Sequence, residues 1–249
     1  MPELSVSRKT ISKLFSEMQN RKFIIPDFQR PYKWDMEKCE TLWNDIRDFH
    51  ESMPVGAKSD EYFLGTIVSC KNESNEDNIE IIDGQQRITS FFLILRAFYK
   101  KLENMPEDLN VIGLKNQLAP CIWDVDSISQ QVADRKKLHV ESLVATDDDK
   151  AAFHDILETG FADSSAKDLY SINFNFFKDK CEQYAKDAPM QWQPLCVTIL
   201  HKCIILPIEC NNSDTALTIF STLNDRGLPL SDSDIFKAQI YKSKPDSSA

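Results

Sequence analysis

Hydrophobic residues change their spacing within residues 78–96, and this change predicts a strand, a turn and a helix. Three β-branched isoleucines lie within residues 79–82, and Asp83 and Gly84 follow them directly. This pattern is typical of a short strand that ends in a tight turn. From Ile88 onward the apolar residues follow the spacing of one helix face. They are Ile88, Phe91, Phe92, Leu95, Phe98 and Tyr99.

The same periodicity predicts helices elsewhere in the chain. Residues 11–18 have the spacing of an amphipathic helix of about three turns. Residues 39–49 predict a second helix, with Asp35 as its cap. A later helix is predicted to begin at a cap formed by Ser213 or Asp214. Further segments that the pattern predicts to be mainly helical are 112–121, 128–138, 150–157, 170–184 and a last helix opened by a capping box at 231–234.

Three apolar segments predict the strands of a sheet. Segments 62–69 and 79–83 are close in sequence, so we expect them to be antiparallel neighbours, and segment 203–208 adds a third strand. These elements predict an α+β fold with a small mixed sheet. We expect residues 1–100 and 201–242 to build the α/β core, and residues 101–200 to form a mostly helical subdomain.

Composition and charge narrow the class of protein. The chain has 249 residues, a formal net charge of −10 and a pI near 4.9. An acidic surface argues against non-specific nucleic-acid binding, unless basic residues are concentrated in one groove. Seven scattered cysteines without a C-x-x-C pair favour reduced thiols. Because neither a signal pattern nor a long apolar run is visible in the sequence, we expect a soluble, cytoplasmic protein that does not contact a membrane.

The turn at residues 83–87 is the first candidate for chemistry. Free backbone N–H groups and the positive end of the helix dipole make a helix N-terminus suited to anions. Gly84 allows close approach of backbone to a ligand, Gln85 and Gln86 offer amide groups, and Arg87 can grip a phosphate with two hydrogen bonds. The alternative is a capped helix whose polar first turn faces water, and composition leaves both interpretations open.

The loop at residues 26–34 is the second candidate. Two prolines exclude a helix there. The loop displays Gln29, Arg30, Tyr32, Lys33 and Trp34. Such a group can stack on a base and hold a phosphate. The alternative is that the two aromatic residues fill the core and the arginine forms a structural ion pair. Since P-loop, Rossmann and H-E-x-x-H patterns are absent from the sequence, a nucleotide site would have to use this loop and the turn.

Four ordered blocks resemble one known family. They are residues 25–34 (IPDFQRPYKW), 63–67 (FLGTI), 82–87 (IDGQQR) and 220–231 (FSTLNDRGLPLS), followed by Asp234 and Lys237. Together they closely resemble the N-terminal, GmrS-like domain of GmrSD type IV restriction enzymes, from about Val6 to Tyr241. The resemblance implies a distant relation to the ParB/sulfiredoxin-like fold.

The resemblance also implies a function and roles for individual residues. It implies a module that binds and hydrolyses NTP and helps bacteria to restrict modified DNA, with cleavage carried out by a separate HNH-type nuclease domain or subunit. By position, it implies that Asp83, Gln86 and Arg87 are catalytic, and that Asp83 also holds Mg²⁺. The nucleotide-binding residues that it implies are Gln29, Arg30, Tyr32, Trp34, Gly84, Gln85, Asn224, Arg226 and Lys237. The acidic pI suggests that contact with DNA is indirect.

Three hypotheses follow for the function. The chain is an NTPase subunit of a restriction system, a nucleotide sensor that changes shape without turnover, or a scaffold for a nuclease. We rank the scaffold last, because polar loops flanked by apolar residues are costly unless something polar fills them.

Overall fold

A computed structural model describes residues 4–53, 60–71, 75 and 77–224, without the side chains of residues 4, 223 and 224. Helices and strands are numbered in chain order. The helices are α1 (Ile11–Ser16), α2 (Met36–Ser52), α3 (Gln85–Glu103), α4 (Leu109–Leu118), α5 (Asp147–Thr159), α6 (Leu169–Asp187), α7 (Trp192–His201) and α8 (Ser213–Asn224). The strands are β1 (Leu4–Val6), β2 (Lys9–Thr10), β3 (Phe23–Ile25), β4 (Tyr62–Lys71), β5 (Ile79–Asp83), β6 (Val140–Ser142) and β7 (Cys203–Cys210).

All of these strands belong to one mixed sheet. Its order is β1-β7-β4-β5-β3-β6, and β2 also pairs with β7. Strands β4 and β5 are antiparallel, as the sequence predicts, whereas β4 is parallel to β7 and β3 is parallel to β5 and β6. The predicted α+β class is therefore confirmed. Because β5 and β3 run opposite to β4, their carboxyl ends lie at the same edge of the sheet as the start of β4.

Helix α3 passes through the centre of the main core. Between Ile88 and Phe98 every one of its residues is buried, so it is enclosed on all sides. The Phe23 ring of β3 lies 6.4 Å from the ring of Phe92 on one side, and α6 packs against the helix on another. The main core combines side chains from residues 1–100 with side chains from residues 101–200, such as Phe153 and Phe174. The division into an α/β core and a helical subdomain stays a prediction.

Helix α8 covers the opposite face of the sheet. It packs there on a small apolar cluster that includes Val68, Ile82 and Ile208, and Phe28 and Phe220 pack against the same cluster. Strand β7 ends at the edge far from Asp83, and α8 begins three residues later. Since Val68 pairs with Asp83 in the sheet, the packing of α8 on this cluster shows that the helix runs back toward the edge that holds Asp83.

All seven cysteines are free and buried. Burial raises the pKa of Cys39 to about 11 and that of Cys121, Cys181 and Cys203 to about 12. Thiols with such pKa values are unreactive at neutral pH.

In the part of the chain that the structure describes, none of the helices has the length and apolar character needed to cross a membrane.

The structure corrects some of the sequence predictions. Segment 128–138 is not helical: it takes part in two isolated antiparallel bridges, which join Trp123 to Leu138 and Val125 to Val132. The chain reverses within this segment: the N–H of Asp126 donates to the carbonyl oxygen of Gln131, and Gln130 has φ of +57°, outside the helical region.

Two other boundaries differ, and one helix and four strands were not predicted. The first helix ends at Ser16 rather than near residue 18. Helix α8 is capped by Asn212, which accepts the N–H of Thr215, rather than by Ser213 or Asp214. Helix α7 and the strands β1, β2, β3 and β6 were not predicted. The capping box at 231–234 lies outside the described residues.

Candidate functional site

The turn between β5 and α3 is held in a backbone conformation that requires glycine. Gly84 has φ of +92°, in the left-handed region, and precedes the first residue of α3. A Cβ atom built on Gly84 would lie 2.8 Å from Cγ1 of Ile67. Any larger residue would therefore be strained and would also collide with β4. The turn brings Asp83 to the end of the strand and Arg87 to the first turn of the helix.

The two glutamines of the turn bind the loop at residues 26–34. The Gln86 side chain accepts the N–H of Lys33 at 2.7 Å and donates to the carbonyl oxygen of Pro31 at 2.9 Å. Gln85 donates to Oε1 of Gln29 at 3.1 Å, and Gln29 donates to the carbonyl oxygen of Ile82 at 2.8 Å. Loop and turn thus form a single hydrogen-bonded unit at this edge of the sheet.

The aromatic residues of the loop face the core. Tyr32 is buried, its hydroxyl lies 2.7 Å from Oγ of Ser90, and its ring stacks on Tyr170 at 5.0 Å between centroids. Burial raises the pKa of Tyr32 well above its ordinary value. Trp34 is half-buried and packs against the main core. Tyr32 therefore fixes the shape of the loop and does not offer its ring face to a ligand.

Asn173 of α6 is a residue of this site that the sequence did not reveal. Its amide nitrogen donates to the Tyr32 hydroxyl at 3.0 Å and to the carbonyl oxygen of Trp34 at 2.8 Å. It is fully buried, and its own carbonyl oxygen has no partner among the described residues. The available signal was a polar residue on the apolar face of a helix, between Tyr170 and Phe174.

Charged groups gather where the loop meets the turn. Burial raises the pKa of Asp83, while the Gly84 N–H and the charges of Arg87 and Arg30 act in the opposite direction. Burial lowers the pKa of Arg87, and the Asp83 charge partly offsets this. Arg30 is exposed to solvent. The structure thus places both guanidinium groups close enough to act on one carboxylate.

Strand β4 forms one side of this site, and the motifs in the sequence did not predict this contribution. The Nη1 atom of Arg87 donates to the carbonyl oxygen of Thr66 at 2.9 Å. Gly65, with φ of +112°, lies beside the guanidinium. The register of β4 against β7 shifts between Phe63 and Thr66. This shift is a β-bulge, a feature that often re-aims groups beside functional sites.

This arrangement is suited to a polyanion. Two arginines and the first N–H groups of α3 supply positive charge, and the carboxylate of Asp83 is half-buried. Within the described ranges, no three potential metal-binding side chains come together. A magnesium ion here would therefore take Asp83 as a protein ligand and fill its remaining positions with phosphate oxygens and water, as magnesium commonly does.

The predicted residues of the C-terminal motif lie outside the described part of the chain. These are the Asn224 side chain, Arg226 and Lys237. Helix α8 leads into this motif, and it runs toward the edge of the sheet that holds Asp83. Of the predicted set, the structure brings Gln29, Arg30, Asp83, Gly84, Gln85, Gln86 and Arg87 together, with Tyr32 and Trp34 behind them.

Comparison with known proteins agrees with the motifs. The chain is 25% identical to the uncharacterized protein MJ0686 of Methanocaldococcus jannaschii, over 96% of this chain and 43% of that protein. The chain thus spans less than half the length of this relative. A family model described as the GmrSD restriction endonuclease, N-terminal domain, matches residues 11–241. This match covers nearly the whole chain and all four motif blocks. The chain therefore belongs to the family of GmrSD restriction endonuclease N-terminal domains.

Proposed function

We propose that the chain is the NTP-binding and NTP-hydrolysing module of a bacterial restriction system that acts on modified DNA. The observation that carries this proposal is that hydrogen bonds join the loop with Arg30 to the turn with Asp83 and Arg87 at the N-terminus of α3. A triphosphate with bound magnesium needs cationic groups for its oxygens and a carboxylate for its metal. The site offers both within one turn and one loop.

Arg87 is the main phosphate ligand in this proposal. The bond to Thr66 uses one N–H of its guanidinium, and the structure gives the others no partner within its described part. Free donors on a half-buried cation favour an anionic ligand, because charge-assisted hydrogen bonds are stronger where water is scarce. Arg30, at the exposed rim, adds a second charge for the end of the triphosphate.

Asp83 has the chemical role in this proposal. A carboxylate at this position can hold magnesium or orient the water that attacks the γ-phosphate. Gln86 has both polar atoms of its side chain engaged with the loop backbone. With these two bonds it holds the loop against the turn, and direct contact with the reacting phosphate would require them to be exchanged.

The nuclease lies elsewhere in the proposed assembly. The relative from Methanocaldococcus jannaschii has additional length beyond the matched part. We propose that an HNH-type nuclease domain or subunit cleaves the DNA and that this chain controls it through nucleotide turnover. The acidic net charge of −10 favours contact with modified DNA through that partner rather than directly.

Phosphate release from ATP, GTP, CTP and UTP, each with magnesium, tests this proposal. We expect weak turnover by the full chain in isolation, loss of turnover in Asp83→Asn and retention of nucleotide binding in that variant. The matched control is Asp155→Asn, which changes an exposed carboxylate on α5 and should leave turnover unchanged.

The other outcomes identify the alternatives. Binding without phosphate release, in wild type and variant alike, would indicate a nucleotide sensor. An Asp83→Asn protein that is destabilised, in a chain that binds no nucleotide, would indicate a structural carboxylate in a scaffold. A wild-type protein that neither binds nor hydrolyses any of the four would refute the proposed function.

A further inference from the structure

The Arg87 side chain lies against the backbone of β4 at Gly65, where an added side chain would crowd the guanidinium. A Cβ atom built on Gly65 would lie 3.0 Å from Nη2, 3.1 Å from Cζ and 3.2 Å from Nη1 of Arg87. Because these three distances are nearly equal, the added carbon would sit over the face of the guanidinium and not at its edge. The flat face of the guanidinium therefore rests on the Gly65 backbone.

The same strand also fixes the rotation of the guanidinium in its plane. Nη1 donates to the carbonyl oxygen of Thr66, the residue after Gly65. The β-bulge places three steps of β4, from Phe63 to Thr66, opposite two steps of β7. The positive φ of Gly65 allows this bulge. Face contact and hydrogen bond together determine where the remaining N–H groups point.

We propose that Gly65 is a positioning residue of this site, which seats the Arg87 guanidinium on β4 so that its free N–H edge faces the anionic ligand. This proposal rests on the proposed function only for the identity of the ligand. The orientation of Arg87 by Gly65 can be tested without any ligand. A side chain at position 65 would push the flexible end of Arg87 away from Thr66, and the site would lose its main cation without losing the arginine.

The ligand-free test uses the side-chain Nε–Hε NMR signal of Arg87 in full-length protein labelled with ¹⁵N-arginine. The signal is identified by its loss in Arg87→Lys. We expect it to shift in Gly65→Ala and to stay in place in Gly113→Ala. Gly113 is the matched control, because a Cβ atom there meets no other atom within 4 Å. An unmoved signal in Gly65→Ala would overturn the proposal.

The ligand test measures affinity for ATP, GTP, CTP and UTP, each with magnesium. We expect Gly65→Ala to weaken binding by about tenfold or more, similar to Arg87→Ala, which corresponds to the loss of one charge-assisted hydrogen bond. Added to Arg87→Ala, Gly65→Ala should cause no further loss, because the two changes remove the same interaction. A further loss of similar size in the double variant would show that Gly65 does not act through Arg87.

The two tests separate failure of this proposal from failure of the proposed function. One outcome is that the Arg87 signal shifts but the chain binds none of the four nucleotides. This outcome supports the positioning of Arg87 by Gly65 and refutes the nucleotide function. A shifted signal with unchanged nucleotide affinity overturns the positioning role.

Gly65→Ala is also strained by its positive φ, so a fold control is needed. Should Gly65→Ala fail to fold, Gly65→Ala combined with Arg87→Ala becomes the decisive variant. Folding of that double variant supports contact between residue 65 and the guanidinium. Failure of both would assign the defect to backbone strain alone and overturn the proposal.

Discussion

Helix α3 carries two arginines, Arg87 in its first turn and Arg96 in its middle, and their surroundings differ. Arg96 is fully buried, and its Nε donates to the carbonyl oxygen of Leu157 at 2.9 Å. Both Nη atoms lie 3.2 Å from Oε2 of Glu103. The guanidinium also lies over the rings of Tyr99 and Trp123, at 5.6 and 5.3 Å from their centroids.

Arg87 has a much sparser environment. Its one hydrogen bond in the described part of the chain goes to Thr66, and its nearby carboxylate is Asp83. Burial lowers the pKa of both arginines, so both have given up water. Arg96 has replaced that water with protein groups on every side, whereas Arg87 has not. This difference separates the two buried charges: Arg96 has its partners within the fold, whereas Arg87 keeps free N–H groups for the anionic ligand that we propose.

The largest effect that tests this comparison should come from Glu103→Gln. The change leaves the buried Arg96 without its counter-charge, and we expect it to lower the free energy of unfolding by about 3–5 kcal/mol. Urea denaturation measures this directly. The control is Glu107→Gln, which breaks an exposed ion pair with Lys115 and should cost at most about 1 kcal/mol. Similar losses in the two variants would contradict the structural role of Arg96.

Arg87→Ala should show the reverse behaviour. We expect nucleotide affinity to fall by about 1.5–3 kcal/mol, the size of a hydrogen bond to a charged group, while the melting temperature without ligand stays nearly unchanged. Isothermal titration with the nucleotide that binds best, together with thermal melts, gives both quantities. If Arg87→Ala destabilised the free protein as much as Glu103→Gln does, the two arginines would be alike and the comparison would fail.

The pH dependence of stability should reveal the carboxylate beside Arg87. Burial raises the pKa of Asp83, so the folded state binds its proton more tightly than the unfolded state does. Stability contributed by this group is therefore highest at acid pH and falls as pH rises from the ordinary aspartate pKa through the raised one. We expect wild type to lose stability relative to Asp83→Asn across that window in urea melts. A relative gain in stability would show that ion pairing outweighs burial.

The smallest effect should come from a third arginine, which is largely solvated. Arg47 pairs with Asp48 at the surface, at 2.6 Å from Nη2 to Oδ1. Because exposed pairs are weak, Arg47→Ala should change the free energy of unfolding by about 1 kcal/mol or less and leave nucleotide affinity unchanged. Urea denaturation and titration check both. A large loss of stability or of nucleotide affinity in Arg47→Ala would contradict the idea that an arginine with an exposed ion pair contributes little to either.

Local patterns sufficed to predict the turn and its neighbours. The β-branched run, the glycine and the change to helical spacing all lie within about twenty residues of the chain, and each acts on the backbone directly. The prediction of β4 and β5 as antiparallel neighbours succeeded for the same reason. The Asp35 cap of α2 is also a local interaction, with the N–H of Lys38.

Contacts between distant residues were beyond such patterns. The bond from Asn173 to Tyr32 spans 141 residues, and spacing along one helix does not indicate which loop a polar side chain will meet. The position of the Arg87 guanidinium depends on a bulge in β4, and this bulge arises where β4 pairs with β7. Segment 128–138 failed as a helix because the chain reverses near Gln130, at φ of +57°, and pairs in antiparallel bridges, and periodicity does not register such pairing.

The pairing of β7 has a consequence for the order in which the protein folds. Strand β4 has β5 on one side early in synthesis, but its other side stays open until β7 is made. Strands β1 and β2, at the start of the described chain, also wait for β7. Contacts this distant in sequence are slow to form, since a long loop must close first. We therefore expect the turn and α3 to form on the ribosome well before the part of β4 that contacts Arg87. The nascent chain would then complete the surroundings of Arg87 only after residue 210 has emerged.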